Sequence, residues 1–159
     1  MNTKFVFIEN VTKQHLSKSQ IQSILRCNSI NSSACPTIRN HSKSTTVSLA
    51  NADTGTDGNY MCQLDKKYVT SLKPDTSRSV SLPDGRLIVS THSGVLDLPS
   101  LPLSARKCWV FEELIGSLLC PGDWVDSGAN VMYTKSEVIV KDDNDATLLV
   151  GQRVPDTKL

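Results

Sequence analysis

From Thr46 onward the apolar residues fall in short runs alternating with polar ones, and each run ends at a turn signal. Val47-Ser48-Leu49-Ala50 leads toward Asp53. Ser79-Val80-Ser81-Leu82 alternates, breaks at Pro83-Asp84-Gly85 and resumes as Arg86-Leu87-Ile88-Val89. Proline presets one turn dihedral and glycine accepts a positive φ, so this segment reads as a β-hairpin. Further strands are predicted over Val95 to Leu98, Cys108 to Phe111, Val131 to Tyr133, Glu137 to Val140 and Ala146 to Val150. The last two are joined by the acidic turn Asp142-Asp143-Asn144-Asp145. One short helix fits Gly122 to Ser127. Many short strands with frequent turns predict an all-β barrel or sandwich.

Residues 1–45 have a different texture. Phe5-Val6-Phe7-Ile8 follows Lys4 and stops at Glu9, too short for a signal-peptide core, which points to the cytoplasm or nucleus rather than secretion. Thr12 to Arg26 carries Leu16, Ile21, Ile24 and Leu25 at the spacing of a modest amphipathic helix. The stretch from Asn28 to Thr46 is mostly Ser, Asn, Thr, Lys and His, and it buries too little apolar surface to offset chain entropy. The expected division is therefore an N-terminal segment with a polar linker over 1–45 and one β domain over 46–159. A chain of 159 residues holds one such core and no second.

Composition narrows the partners. Lys and Arg number 17 against 16 Asp and Glu, a net charge of +1, so there is no basic excess for nucleic acid or an anionic membrane surface. No run approaches the ~20 apolar residues that span a bilayer. The five cysteines are odd in number and irregular in spacing, which predicts free thiols rather than a disulfide framework. Cys27, Cys35 and His41 lack the spacing and fourth ligand of a zinc site. His92 with Ser90, Ser93 or Asp97 has no nucleophile elbow around it. Cys62 or Cys108 paired with a histidine is an equally weak sign of a cysteine protease. The acidic turn lacks the alternate ligands and closing Glu of a calcium loop.

Two triplets remain: Asp53-Thr54-Gly55, followed by Thr56, and Asp126-Ser127-Gly128, followed by Ala129. Two carboxylates about 3 Å apart share one proton, because like charges so close cannot both ionise. One then acts as base on a water while the protonated partner polarises a carbonyl. The hydroxyl residue locks such a turn, and glycine lets backbone approach backbone. The two triplets lie too close along the chain to belong to two complete lobes, each with its own strands and flap.

From about Leu49 to Leu159 the chain resembles the protease region of copia-type retrotransposon polyproteins, a branch of the retropepsin family. The likeness rests on several stretches in order. Asp53-Thr54-Gly55-Thr56 resembles the catalytic turn. Val80-Ser81-Leu82-Pro83-Asp84-Gly85, its return strand through Val89, and Gly94 resemble the hairpin that follows. Cys108 to Leu114 and Gly116 to Cys120 are similar to the next strand and apolar pair. Asp126, Gly128, Val131, Tyr133, Val138, Val140, Leu149, Gly151, Arg153 and Leu159 fall in order on the closing pattern.

The resemblance implies a small closed acid-protease barrel with one short helix, and a homodimer in which each copy supplies one Asp53. Asp53, Thr54 and Gly55 would be the catalytic turn. Thr56, Leu82, Pro83, Asp84 and Gly85 would touch a peptide substrate, with Leu82 to Arg86 as the exposed tip of a flap. Asp126 would sit in a helix-to-strand turn away from the chemistry. The substrate would be a polyprotein, with no metal and no cofactor. The rival from another class is a catalytically inactive retropepsin-like β domain from a decayed transposon fragment, serving as a binding module or without function.

Overall fold

The computed structural model of the chain describes residues 4–9 and 47–154. The expected helix over Thr12 to Arg26, the polar linker, and Cys27, Cys35 and His41 lie outside the described residues. What is described is mostly β-sheet. The strands are β1 (Lys4–Glu9), β2 (Val47–Ala52), β3 (Asn59–Cys62), β4 (Val69–Pro74), β5 (Ser79–Ser81), β6 (Leu87–Val89), β7 (His92–Leu96), β8 (Lys107–Phe111), β9 (Leu118–Leu119), β10 (Asn130–Tyr133), β11 (Glu137–Lys141) and β12 (Thr147–Arg153). One helix, α1 (Pro121–Asp126), stands where the sequence places it, and 3-10 turns span Gln63–Tyr68 and Leu103–Arg106.

Ten strands form one sheet in the order β10-β11-β12-β1-β2-β9-β3-β8-β7-β4, and β5 pairs with β6 apart from it. β1 corrects the division at residue 45. It runs antiparallel between β2 and β12, matching Phe5 with Ala50 and Arg153, and Phe7 with Ser48 and Gly151. Phe5 and Phe7 point to one side, as the period of two requires, and both are buried. The Phe7 ring meets Trp124 of α1 edge-on at 5.8 Å, which locks the helix against the sheet.

Among the described residues the closed barrel implied by the resemblance is not completed by hydrogen bonds: β10 and β4 are the two edges, and no ladder joins them. β4 is unsuited to zip onto a further strand. Its register breaks between Thr70 and Lys73, Ser71 takes a positive φ of 52°, and Pro74 has no N–H to donate. Four strand spacings separate β10 from β2, about 19 Å if the sheet were flat. Yet partial burial pushes the Tyr133 phenol on β10 up, and the charges of Asp53, just past β2, and Cys120 push it further. Tyr133 of β10 thus lies within electrostatic reach of Asp53, and α1 packs against β10.

Two apolar clusters stand out among the described residues. The larger joins Phe5, Phe7, Leu119, Trp124, Val138 and Leu149 among others; the smaller joins Tyr60, Phe111 and Ile88, with Val80, Leu82 and Trp109 packed on it. The β5–β6 hairpin is held to the body by this second cluster.

Candidate functional site

Asp53 follows directly on β2, and its loop is fixed from both ends. The Asp53 amide donates to the Leu119 carbonyl at 3.0 Å, and the Asn51 amide to Ser117 at 2.9 Å, so β9 holds the strand leading into the loop. Within the loop the Gly55 amide donates to Asp53 Oδ1 at 2.9 Å, and Thr56 Oγ1 donates to the Asp53 carbonyl at 2.9 Å. These are the local side-chain turns that Asp and Thr form when the backbone reverses. Thr54 and Gly55 are exposed at the tip, whereas Asp53 and Thr56 are half-buried. The Thr56 hydroxyl is turned into the loop.

Beneath the loop lies Cys120, buried, whose thiol donates to the Thr56 carbonyl at 3.1 Å. Cys120 is in turn placed by Asn59, a residue the sequence reading passed over. Asn59 is 0% exposed, accepts the Cys120 amide on Oδ1 at 2.9 Å, and aims Nδ2 at Ala105 O, Lys107 O and Asp123 Oδ2. A buried amide survives only with its partners in place, so Asn59 ties β3, β8, α1 and the loop to one geometry. Nothing local in the sequence marks it, because its partners arrive from distant segments.

The second triplet is built differently. Asp126 ends α1, and Gly128 takes a φ of +91°. Its amide donates to Val125 O at 2.9 Å, and the Ala129 amide donates to Trp124 O at 3.0 Å. That pair of bonds is the Schellman stop of a helix, with glycine at the left-handed position. Ser127 Oγ donates to Asp123 O at 2.7 Å. Asp126, as expected, belongs to a helix-to-strand turn.

The hairpin has the anticipated arms and turn. The Gly85 amide donates to Leu82 O at 2.9 Å, the Leu82 amide to Arg86 O at 2.8 Å, and Gly85 has a φ of +84°. Pro83, Asp84 and Gly85 are exposed, but Leu82, expected at the open tip, packs down on the Tyr60, Ile88 and Phe111 cluster. Asp84 bonds Arg86 at 2.8 Å, and Arg86 also reaches Glu113 at 3.1 Å.

The discarded chemistries stay apart. Ser90 Oγ donates to the Asp75 carbonyl at 2.7 Å, while His92 lies by Thr91 and Lys66. The Cys62 thiol donates to Asp65 at 3.3 Å, and burial pushes the thiols of Cys62 and Cys108 up, away from the reactive thiolate. In the acidic turn, Asp142 Oδ1 accepts the amides of Asn144 and Ala146, both at 2.9 Å. Among the described residues no group of three His, Cys, Asp or Glu is arranged to hold a metal, and no helix is long and apolar enough to cross a membrane.

Comparison of the chain with protein-family models, with curated proteins and with solved structures finds no match.

Proposed function

We propose that this chain is a retropepsin-like aspartic protease domain and that Asp53 is its catalytic carboxylate. One observation carries the reading: of the two Asp-Thr/Ser-Gly triplets, Asp53-Thr54-Gly55 is a strand-end loop with its tip exposed, whereas Asp126-Ser127-Gly128 is spent on stopping a helix. With one suitable loop among the described residues, the active site in this reading forms between two copies of the chain. One Asp53 takes a proton from water while the other, protonated, polarises the scissile carbonyl. Thr54 locks the paired turns and Gly55 allows their close approach.

In the same reading the sheet is an acid-protease barrel, completed by the packing of α1 and β10 rather than by a closing ladder. The β5–β6 hairpin is the flap, offering main-chain groups to an extended peptide and excluding water. The substrate is peptide, cut from the polyprotein that carries this segment, and neither metal nor cofactor takes part.

The test is peptide hydrolysis by the recombinant chain. Activity is expected at mildly acidic pH with a bell-shaped profile, because only the singly protonated pair works. It should rise faster than linearly with enzyme concentration near the dimer dissociation constant. Asp53→Asn should abolish it and Asp126→Asn should not. Activity surviving Asp53→Asn rules out the assignment. No activity in any version, including chains extended past Leu159, leaves the non-catalytic binding domain.

A further inference from the structure

Arg78, immediately before β5, reaches from the base of the hairpin to Asp57, at the end of the loop that Asp53 begins. Its backbone forms the base of the hairpin: the Ser90 amide donates to Arg78 O at 2.8 Å, and the Arg78 amide donates to Ser90 Oγ at 3.2 Å. Its guanidinium reaches the other way. Nε and Nη2 donate to the Tyr60 hydroxyl at 3.1 and 3.0 Å, and Nη2 donates to the Asp57 carbonyl at 2.9 Å. It pairs with the Asp57 carboxylate at 2.6 Å, and the Tyr60 hydroxyl donates to that same carboxylate. The guanidinium also lies over the rings of Trp109 at 5.0 Å and Tyr60 at 5.7 Å.

These contacts differ in weight. The Asp57 side chain is 80% exposed, so the ion pair is screened and weak. The Arg78 side chain is 30% exposed, its guanidinium held by a phenol and two ring faces, and this anchor is the stronger part. Lysine cannot reproduce it, because the planar fork and the stacking are properties of arginine.

We infer that Arg78 is a positioning residue that fixes the β5–β6 hairpin relative to the Asp53–Asp57 loop. The inference rests, for its catalytic consequence, on the protease reading. The mechanical claim stands on the contacts alone. Without Arg78 the hairpin keeps its turn and its Ile88 contact but loses the link to the loop. The fraction of molecules with the hairpin in its peptide-binding place then falls, and apparent substrate affinity falls with it.

Two measurements on the full chain test this. Amide hydrogen exchange in Arg78→Met and Arg78→Lys should show faster exchange over 79–89, by about tenfold or more, with β11 and β12 unchanged. Should Arg78→Met fail to fold, seen as lost protection in β11 and β12, Asp57→Asn carries the test with a smaller effect of the same sign. In peptide hydrolysis, Arg78→Lys should raise KM about tenfold while kcat changes less than about threefold. Unchanged exchange over 79–89 in a folded Arg78 variant overturns the inference, as does a fall in kcat at constant KM. Absence of protease activity in every version, extended chains included, refutes the proposed function while the exchange arm still decides the role of Arg78.

Discussion

The amide of Ala129 donates to the carbonyl of Trp124 at 3.0 Å, and both side chains lie in the larger core cluster. The bond places the apolar residue after a helix stop against the last turn of the helix, as Schellman stops commonly do. It also decides which of two similar triplets is free for chemistry.

Substitutions at the second triplet should therefore behave as helix-end changes. Gly128→Ala forces a left-handed φ on a residue with a Cβ and should cost about 1–2 kcal/mol. Asp126 is exposed and sits at the negative end of α1, so Asp126→Asn should shift stability by less than about 0.5 kcal/mol, toward greater stability. Urea unfolding of the two variants checks both. A large loss in Asp126→Asn would mean that the carboxylate has a role the helix stop does not explain.

Two glycines on the family-like pattern are required for space. A Cβ at Gly94 would lie 2.6 Å from the Thr70 carbonyl and 2.5 Å from a Val69 methyl, and the carbonyl belongs to a neighbouring strand. At Gly151 it would lie 2.7 Å from the Phe7 ring. Overpacking costs about 1–3 kcal/mol where side chains can yield. Gly151→Ala should fall in that range through displacement of Phe7, and Gly94→Ala should reach or exceed its top because backbone must move. Thermal unfolding of the pair gives the order. The reverse order would show that β4, with its irregular register, gives way more easily than the aromatic core.

The sequence carried the strands that alternate and end at marked turns, such as the hairpin arms around Pro83-Asp84-Gly85. It also carried the short helix, whose stop is written in Gly128. β1 was harder. Phe5 and Phe7 do alternate, but the strand is short, and its partners β2 and β12 come from far along the chain, so local pattern does not show that it sits inside the sheet. β9 has two residues and no period at all, yet it holds the Asp53 loop. The candidate loop was legible from residue types. Asn59 and Arg78 were not, because each is defined by groups that only folding brings together.

Burial pushes the Cys108 thiol up to about 12, so at neutral pH it carries almost no thiolate. Cys62 and Cys120 are buried as well. In the folded chain all three should resist iodoacetamide at pH about 8 and react only on unfolding. Peptide mapping by mass spectrometry reads each site separately. Rapid labelling of Cys120 in the native protein would show that the Asp53 loop opens far more often than its bonds to Leu119 and Cys120 suggest.

The acid tolerance of the hairpin follows from its carboxylates. Hydrogen bonds from Ser77 lower Asp75 from 3.8 to about 2, the Tyr60 hydroxyl lowers Asp57, and Arg86 lowers Asp84. A carboxyl lowered in the folded state adds stability above its unfolded value and loses it as pH falls through the folded value. For Asp75 that window runs from 3.8 down to about 2. Asp57 and Asp84 are exposed and Asp75 is half-buried, so the effect belongs to the hairpin and its base rather than to the whole fold. Protection of the 79–89 amides, corrected for intrinsic exchange, should thus hold from about pH 7 to about pH 4 and fall below it. The Asp75 carboxyl carbon should titrate by NMR with a midpoint about 2. These carboxyls thus stay charged under mildly acidic conditions. Loss of protection already at about pH 5, before these carboxyls take up protons, would assign the anchoring to other groups.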